Sequence, residues 1–508
     1  MSNTTKATIQ QVAILLSCYA FLILCNGYLF GYGDQVEVLP LVYQYFNPTL
    51  YAKDFFVQQY LVSGSWIRDG LVWFSLPGNF IGMENWYLLL HFSFSMLLIT
   101  GVFKVLQTLT ADVVQISVAI CTVLGLTFGY IPGDNEIWYP QVIPSLISEA
   151  LLIWAFYFYT RKIPLFWILI IVAAACFQPL SAIQVLVIFV VAEVFEAIKG
   201  NWQRISGQKI ILIVLILIAS CGGLLYMYLR LTHSMADMIP YLMWRLPHHF
   251  DPIQFSVKSW LVFGVLVIPG LIYLYTLRSR LFLPLVITLL GALLYALFYQ
   301  IVPEIILTQW YKSMLWVKTI AGGATLIYLM KQLQQSRVTK RKSYLFIVLI
   351  VLVLGVWKGP LTWVEYDLPL VHQEMNDEVK IAKSASRLLP LDAVVAIPVA
   401  NSTFKIFAKR SCYVDYKSTV FSAGVFNEWM TRLGQLYGAS LLSRQGRADL
   451  GAMDRYYNNI IRDRDFLTTL GITHVLTIQE IEEGSLILQQ GRWKIYSLRG
   501  SSGRDSRE

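Results

Sequence analysis

Windows of apolar residues long enough to cross a bilayer, about 20 residues each, begin near Gln11, Trp86, Ala111, Pro144, Pro164, Ser181, Ile210, Ser259, Leu281, Lys312 and Ser343. They predict a polytopic α-helical membrane domain over residues 1–358 with about eleven transmembrane helices, the Pro164 and Ser181 pair being short and flanked by proline. Between the first two windows, residues 32–85 are too polar to stay in lipid and too aromatic for a free loop, so they predict short amphipathic helices in the headgroup region. From about Gly359 the pattern becomes that of a soluble protein. The run HQEMNDEVKIAKSASRLL places Val379, Ile381, Ala382, Ala385, Leu388 and Leu389 on one helical face. AVVAIPV, CYVDYKS, THVLTI and RWKIYSL have the length and residue types of strands, with helices near Trp429 and Tyr456 between the second and third. Residues 359–500 therefore predict a small α/β domain, and residues 501–508 a disordered tail.

Composition agrees with that pattern. Hydrophobic residues make up 56% of the 508 and charged ones only 14%, which excludes an ordinary soluble enzyme. A net charge of +9 would fit a nucleic-acid partner only if the cations shared one soluble face. Instead they punctuate the apolar windows, and no nucleic acid is expected. With the N-terminus in the cytoplasm, the inner loops hold Lys104, Arg161, Lys162, Lys199, Arg204, Lys209, Arg278, Arg280, Lys331, Arg337, Lys340, Arg341 and Lys342. An odd number of spans then puts the C-terminal domain outside. Five cysteines fall in the predicted spans and Cys412 stands alone in the soluble part, so no disulfide framework is expected. The first window is too long for a signal peptide and lacks a cleavage site, so it reads as an uncleaved span.

The candidate chemistry gathers in the loops assigned to the outer face. Asp34 closes the first span in GYGDQ, and a carboxylate there costs solvation energy unless water, a cation or a partner receives it. Glu37 and Asp54 follow in the same aromatic segment; Asp54 also fits a helix N-cap. PGDNEIWYPQ carries Asp134 and Glu136 with one residue between them, a spacing that suits a hard divalent cation or a turn. Arg245, His248, His249 and Asp251 share a later loop, and Lys312 lies in another among aromatics. Guanidinium and imidazole donors at that level suit a lipid-linked phosphate. Arg245 and Lys312 equally suit interfacial anchoring, and the histidines precede an Asp-Pro turn. Glu149 lies a turn or two inside its span. No GxGxxG, Walker loop or serine elbow occurs.

Taken together, an acidic loop after the first span, a second acidic motif in the next outer loop, about a dozen spans and an outer soluble domain resemble the GT-C superfamily of integral membrane glycosyltransferases. The likeness is closer to bacterial GT-C-like proteins with G-x-D-Q and a downstream Tyr-x-x-Asp, here Tyr51 to Asp54. Their R-x-P-H-H loop matches Arg245 to His249, their V-D-Y-K strand Val414 to Lys417, and their W-x-x-R Trp429 to Arg432. The resemblance implies transfer of a sugar from a polyprenyl-phosphate or polyprenyl-diphosphate donor to a glycan, lipid or protein acceptor outside the cytoplasm, at the bacterial plasma (inner) membrane. It implies Asp34 as general base with inversion, and Arg245, His248, His249 and Lys312 as donor-phosphate ligands. Glu37, Asp54, Asp134 and Glu136 would bind substrate, the last two also a divalent metal, Mg or Mn. A lipid-linked glycan transporter or flippase, or a non-catalytic scaffold of envelope polysaccharide assembly, shares the span count; a transporter would add broken helices at the midplane and internal repeats.

Overall fold

The computed structural model describes residues 3–63, 66–199, 238–335, 345, 347–349, 351–355, 357, 376–418, 423–440 and 448–498. The chain divides into two compact units. The first comprises Met1–Tyr28, Leu88–Ile239 and Leu246–Tyr366; the second comprises Leu29–Tyr87, Pro240–Arg245 and Asp367–Glu508.

Long apolar windows become helices because a helix satisfies its own backbone polar groups where water is absent. Among the described residues, five helices are long and apolar enough to cross a membrane: Thr8–Asn26, Met83–Gln107, Pro179–Ile198, Val257–Thr276 and Pro303–Gln335. Val113–Leu126, Pro164–Ala175 and Phe282–Phe298 are shorter apolar helices, and Pro144–Thr160 is a further one. The windows expected from Ile210 and Ser343 begin outside the described residues. This is a helical, membrane-associated protein with a small sheet near its C-terminus.

Helix Met314–Gln335 is the core of the first unit, with Met314 to Thr325 buried without interruption. It packs on helix Val257–Thr276, whose Gly270 leaves no room for a side chain: a Cβ there would lie 1.8 Å from the Ala321 carbonyl oxygen. The Thr325 hydroxyl donates to the Leu266 carbonyl across the same contact. Gly270 thus sets how closely the two backbones approach.

The second unit is built on a five-stranded sheet of order β2-β1-β3-β5-β4, with β1 Val394–Ala396, β2 Ser411–Cys412, β3 His474–Thr477, β4 Ser485–Gln490 and β5 Trp493–Ser497. β1 pairs in parallel with β2 and β3, while β5 runs antiparallel to both β3 and β4. The buried Tyr457 hydroxyl bonds the carbonyls of Ala396 at 3.1 Å and Leu476 at 2.6 Å, tying β1 to β3. Helix Asp377–Leu388 forms where the amphipathic pattern predicts it, capped by the Asn376 side chain on the Glu378 N–H at 2.8 Å. CYVDYKS is a strand only at its first residue: the Asp415 carboxylate accepts the N–H groups of Lys417 at 3.0 Å and Ser418 at 2.6 Å and turns the chain. Strand β4 and the short helix Phe404–Ala408 have no counterpart in the pattern reading.

Residues 29–87 form the helices Gln35–Phe46, Phe55–Ser63, Trp66–Ser75 and Gly78–Ile81. The pattern reading groups this segment with the spans, whereas its contacts join it to the sheet-bearing unit. Gly31, at φ +80°, lies flat on the Phe407 ring, which a Cβ would meet at 2.8 Å. Phe30 packs edge-on against the same ring, and the Tyr51 hydroxyl donates to the Lys405 carbonyl at 3.0 Å.

Overpacking at Gly270 is expected to destabilise the first unit by about 1–3 kcal/mol. Gly270→Val should lower the thermal midpoint of the detergent-purified protein; an unchanged midpoint would mean that the two helices separate at no cost.

Candidate functional site

The polar residues singled out in the sequence divide between the two units, and each set is described within its own. In the second unit the segment after Gly31 places Asp34 just before helix Gln35–Phe46. Its Oδ1 lies 2.9 Å from Lys417 Nζ, and both side chains remain accessible, 49% and 37% exposed. One helical turn on, Glu37 lies 4.0 Å from Arg245, and here both side chains are largely enclosed. The Arg245 guanidinium is walled by the Tyr416 and Trp429 rings, with centroids at 5.9 and 5.5 Å, and donates to the Lys417 carbonyl. The Tyr416 hydroxyl returns a bond to the Arg245 carbonyl at 3.1 Å. Arg245 therefore anchors the turn that presents Lys417, and Lys417 is the accessible cation beside Asp34. Within this unit Asp34, Glu37, Arg245 and Lys417 form one cluster.

Asp54 has a different role. It is fully buried, its Oδ1 accepts the Val57 N–H at 3.0 Å as the N-cap of helix Phe55–Ser63, and its Oδ2 accepts the Cys412 N–H at 3.0 Å. Lys405 Nζ lies 3.8 Å from that carboxylate, 2.7 Å from Asp415 and 3.1 Å from the Ser418 hydroxyl. Burial pushes Asp54 above the usual carboxylate value, with Lys405 opposing the shift. Burial would pull the Lys405 ammonium down, but the carboxylates of Asp415 and Asp54 outweigh it and hold it above the ordinary lysine value. This triad has no opening to substrate; it is an internal fastening. Sequence did not single out Lys405, which has no motif around it, and quoted Asp415 only within the V-D-Y-K strand.

In the first unit, residues 127–143 form an irregular loop between helices. Asp134 sits in the left-handed backbone region at φ +50° and is exposed. Glu136 turns inward instead, where its Oε1 accepts from Lys318 Nζ at 2.6 Å and from the Gly129 N–H at 2.8 Å. Burial raises the Glu136 carboxyl above its usual value and Lys318 opposes it. The two carboxylates thus face different surroundings, and Glu136 is already matched by a cation. Among the described residues no group of three or more His, Cys, Asp or Glu is placed to hold a metal. His249 Nδ1 bonds the Gly133 carbonyl at 2.7 Å and steadies the loop, while His248 and Asp134 line one cleft of about 290 Å³ with Tyr130 and Gln254. Asp251 caps the following turn by accepting the Ile253 N–H at 3.0 Å. Lys312 is buried and donates to the Ser145 hydroxyl at 2.8 Å. Lys318 is a further buried cation that the sequence did not single out; a lysine inside an apolar helix was the available signal.

Residues 376–436 match a family described as a domain of unknown function (DUF6798). That stretch spans β1, β2 and the residues Lys405, Asp415, Lys417 and Trp429. No curated protein gives a match to the chain.

Removing the Lys405 ammonium strands two buried carboxylates, so Lys405→Met is expected to cost about 3–5 kcal/mol, read as a fall in the thermal midpoint of the full chain at neutral pH. The folded state holds the Lys405 proton more tightly than the unfolded chain, so this contribution is complete below 10.5 and fades as pH rises above it. The wild-type advantage over Lys405→Met should accordingly shrink in alkaline buffer; a gap that widens there would show that the ammonium is not what stabilises the unit.

Proposed function

We propose that this protein is a membrane glycosyltransferase that moves a sugar from a polyprenyl-phosphate or polyprenyl-diphosphate carrier to an extracytoplasmic acceptor. The observation that carries this reading is the accessible Asp34 carboxylate 2.9 Å from Lys417, on a turn braced by Arg245. A base and a cation side by side suit a displacement that releases one proton, taken by the base, and one anion, met by the cation. The acceptor hydroxyl oxygen bonds to the anomeric carbon as the bond from that carbon to the phosphate oxygen breaks. The electron pair leaves with the phosphate, and the hydroxyl proton passes to Asp34. Lys417 faces the anion as it departs, while Arg245, over the Tyr416 and Trp429 rings, acts as a positioning residue. One displacement inverts the anomeric centre.

In this reading the chain has about eleven spans, a cytoplasmic N-terminus and a C-terminal domain outside the plasma membrane of a bacterium. Lys312 and Glu136 keep structural roles, given their bonds to Ser145 and Lys318.

The test is transfer of radiolabelled sugar from a panel of polyprenyl-phosphate sugars by purified wild type and Asp34→Asn at matched folding. Wild type should consume one donor, and Asp34→Asn should be slower by about 10²–10⁴-fold. Equal rates would remove Asp34 from the chemistry. A wild type that binds lipid-linked glycan yet consumes no donor would make the protein a carrier or scaffold.

A further inference from the structure

Helices Met83–Gln107 and Val257–Thr276 of the first unit both finish at a cleft of about 500 Å³ whose lining includes Lys104, Gln107, Arg161, Ser279 and Arg280, with no carboxylate among its lining residues. The donors of this cleft are pre-aimed by bonds that occupy their other ends. Lys104 Nζ donates to Gln107 Oε1 at 3.2 Å, which leaves the Gln107 amide N–H groups to donate. The Leu281 N–H occupies the Ser279 hydroxyl oxygen at 3.3 Å, leaving its O–H to donate, and it does so at the positive end of helix Phe282–Phe298. Arg280 is fixed by the Tyr159 carbonyl at 2.9 Å, by Glu193 at 2.5 Å and by the Tyr159 ring. Arg161 is exposed and leans on Tyr157. Among the described residues, neither Lys104 nor Arg161 has a carboxylate within ion-pair distance.

Next to the lining residues Arg161 and Ser279, two helix ends share one backbone geometry. Helices Pro144–Thr160 and Val257–Thr276 each close with a basic residue in the left-handed region, Lys162 at φ 60° and Arg278 at φ 51°. The next N–H then reaches back five residues, Ile163 to Phe158 at 3.1 Å and Ser279 to Leu274 at 2.9 Å. Glycine usually fills that position, so a lysine and an arginine there keep charge at a conformational cost.

We propose that this cleft binds a phosphate anion, specifically the phosphodiester of an anionic phospholipid headgroup. Two cations without carboxylate partners, a pre-oriented guanidinium, a hydroxyl and an amide are the donor set a phosphate takes. Both helices that end here are long enough to cross a bilayer, which sets the cleft at headgroup depth. Cations at helix ends also complement the helix dipole and fix topology. That role needs neither the Ser279 donor nor a shared cleft, and the two are separated by experiment.

The full-length protein in neutral detergent is titrated with short-chain phosphatidylglycerol, with short-chain phosphatidylcholine as control and inorganic phosphate as competitor. Lys104→Ala/Arg161→Ala should weaken phosphatidylglycerol binding by about tenfold or more, and the uncharged change Ser279→Ala by about threefold. Lys104→Arg/Arg161→Lys should retain binding, which guards against misfolding. Lys258→Ala, the loss of one charge at the opposite end of helix Val257–Thr276, should leave affinity unchanged. Wild-type affinity in the double alanine variant, or an equal loss in Lys258→Ala, overturns the site. Competition by inorganic phosphate at the concentration of the lipid overturns the headgroup as the source and assigns the cleft to a soluble phosphate.

Discussion

The second unit depends on one ammonium group. Lys405 sits at the meeting point of the 29–87 segment, the turn at Asp415 and the strand β2, and each presents it with an oxygen or a backbone partner of its carboxylates. In a buried site an ion pair stabilises only where every remaining lone pair is also used. Here those lone pairs are taken by the N–H groups of Val57, Cys412, Lys417 and Ser418. The same bonds that satisfy the carboxylates therefore cap a helix, close a turn and fix the edge of the sheet.

Against that interior, the Asp34 cluster is distinguished by exposure rather than by composition. Asp34 and Asp54 belong to one aromatic segment and both face a lysine of the C-terminal region, yet one carboxylate is enclosed and the other stays in reach of solvent. Chemistry at a carboxylate needs that reach, and fastening needs its absence. Arg245, over the Tyr416 and Trp429 rings, donates to the Lys417 carbonyl and so holds the turn that carries Lys417.

Much of the helical framework was legible because length and hydrophobicity alone define a spanning window, and the helix starts near Met83, Pro144, Pro164 and Pro179 follow from it. The amphipathic helix at Asp377 was legible for a similar reason: its apolar face repeats locally. The β4 strand was not, since Ser485–Gln490 lies at a sheet edge, is mostly exposed and has no apolar alternation to mark it. Asp34 and Glu37 could be picked from the sequence as costly charges. Arg245 was picked too, as a phosphate ligand, and Lys417 only within the V-D-Y-K motif, but neither pairing could be read. Lys318 meets Glu136 across 182 residues and Asp54 meets Cys412 across 358, separations over which no local pattern carries information. For Asp134 and Glu136 the spacing suited either a cation or a turn, and no local pattern could tell that Asp134 is exposed at a left-handed position while Glu136 turns inward to Lys318.

Those separations have a consequence for biogenesis. Asp54 emerges from the ribosome 358 residues before the Cys412 N–H that it binds. At about 5–20 residues per second, the 29–87 segment waits on the order of 20–70 s with its capping carboxylate unmatched by the rest of the unit. During that interval several membrane helices are made and inserted. The sheet-bearing unit is therefore completed only after translation of the helices that interrupt it, and the early segment has to be kept from irreversible association until its partner arrives.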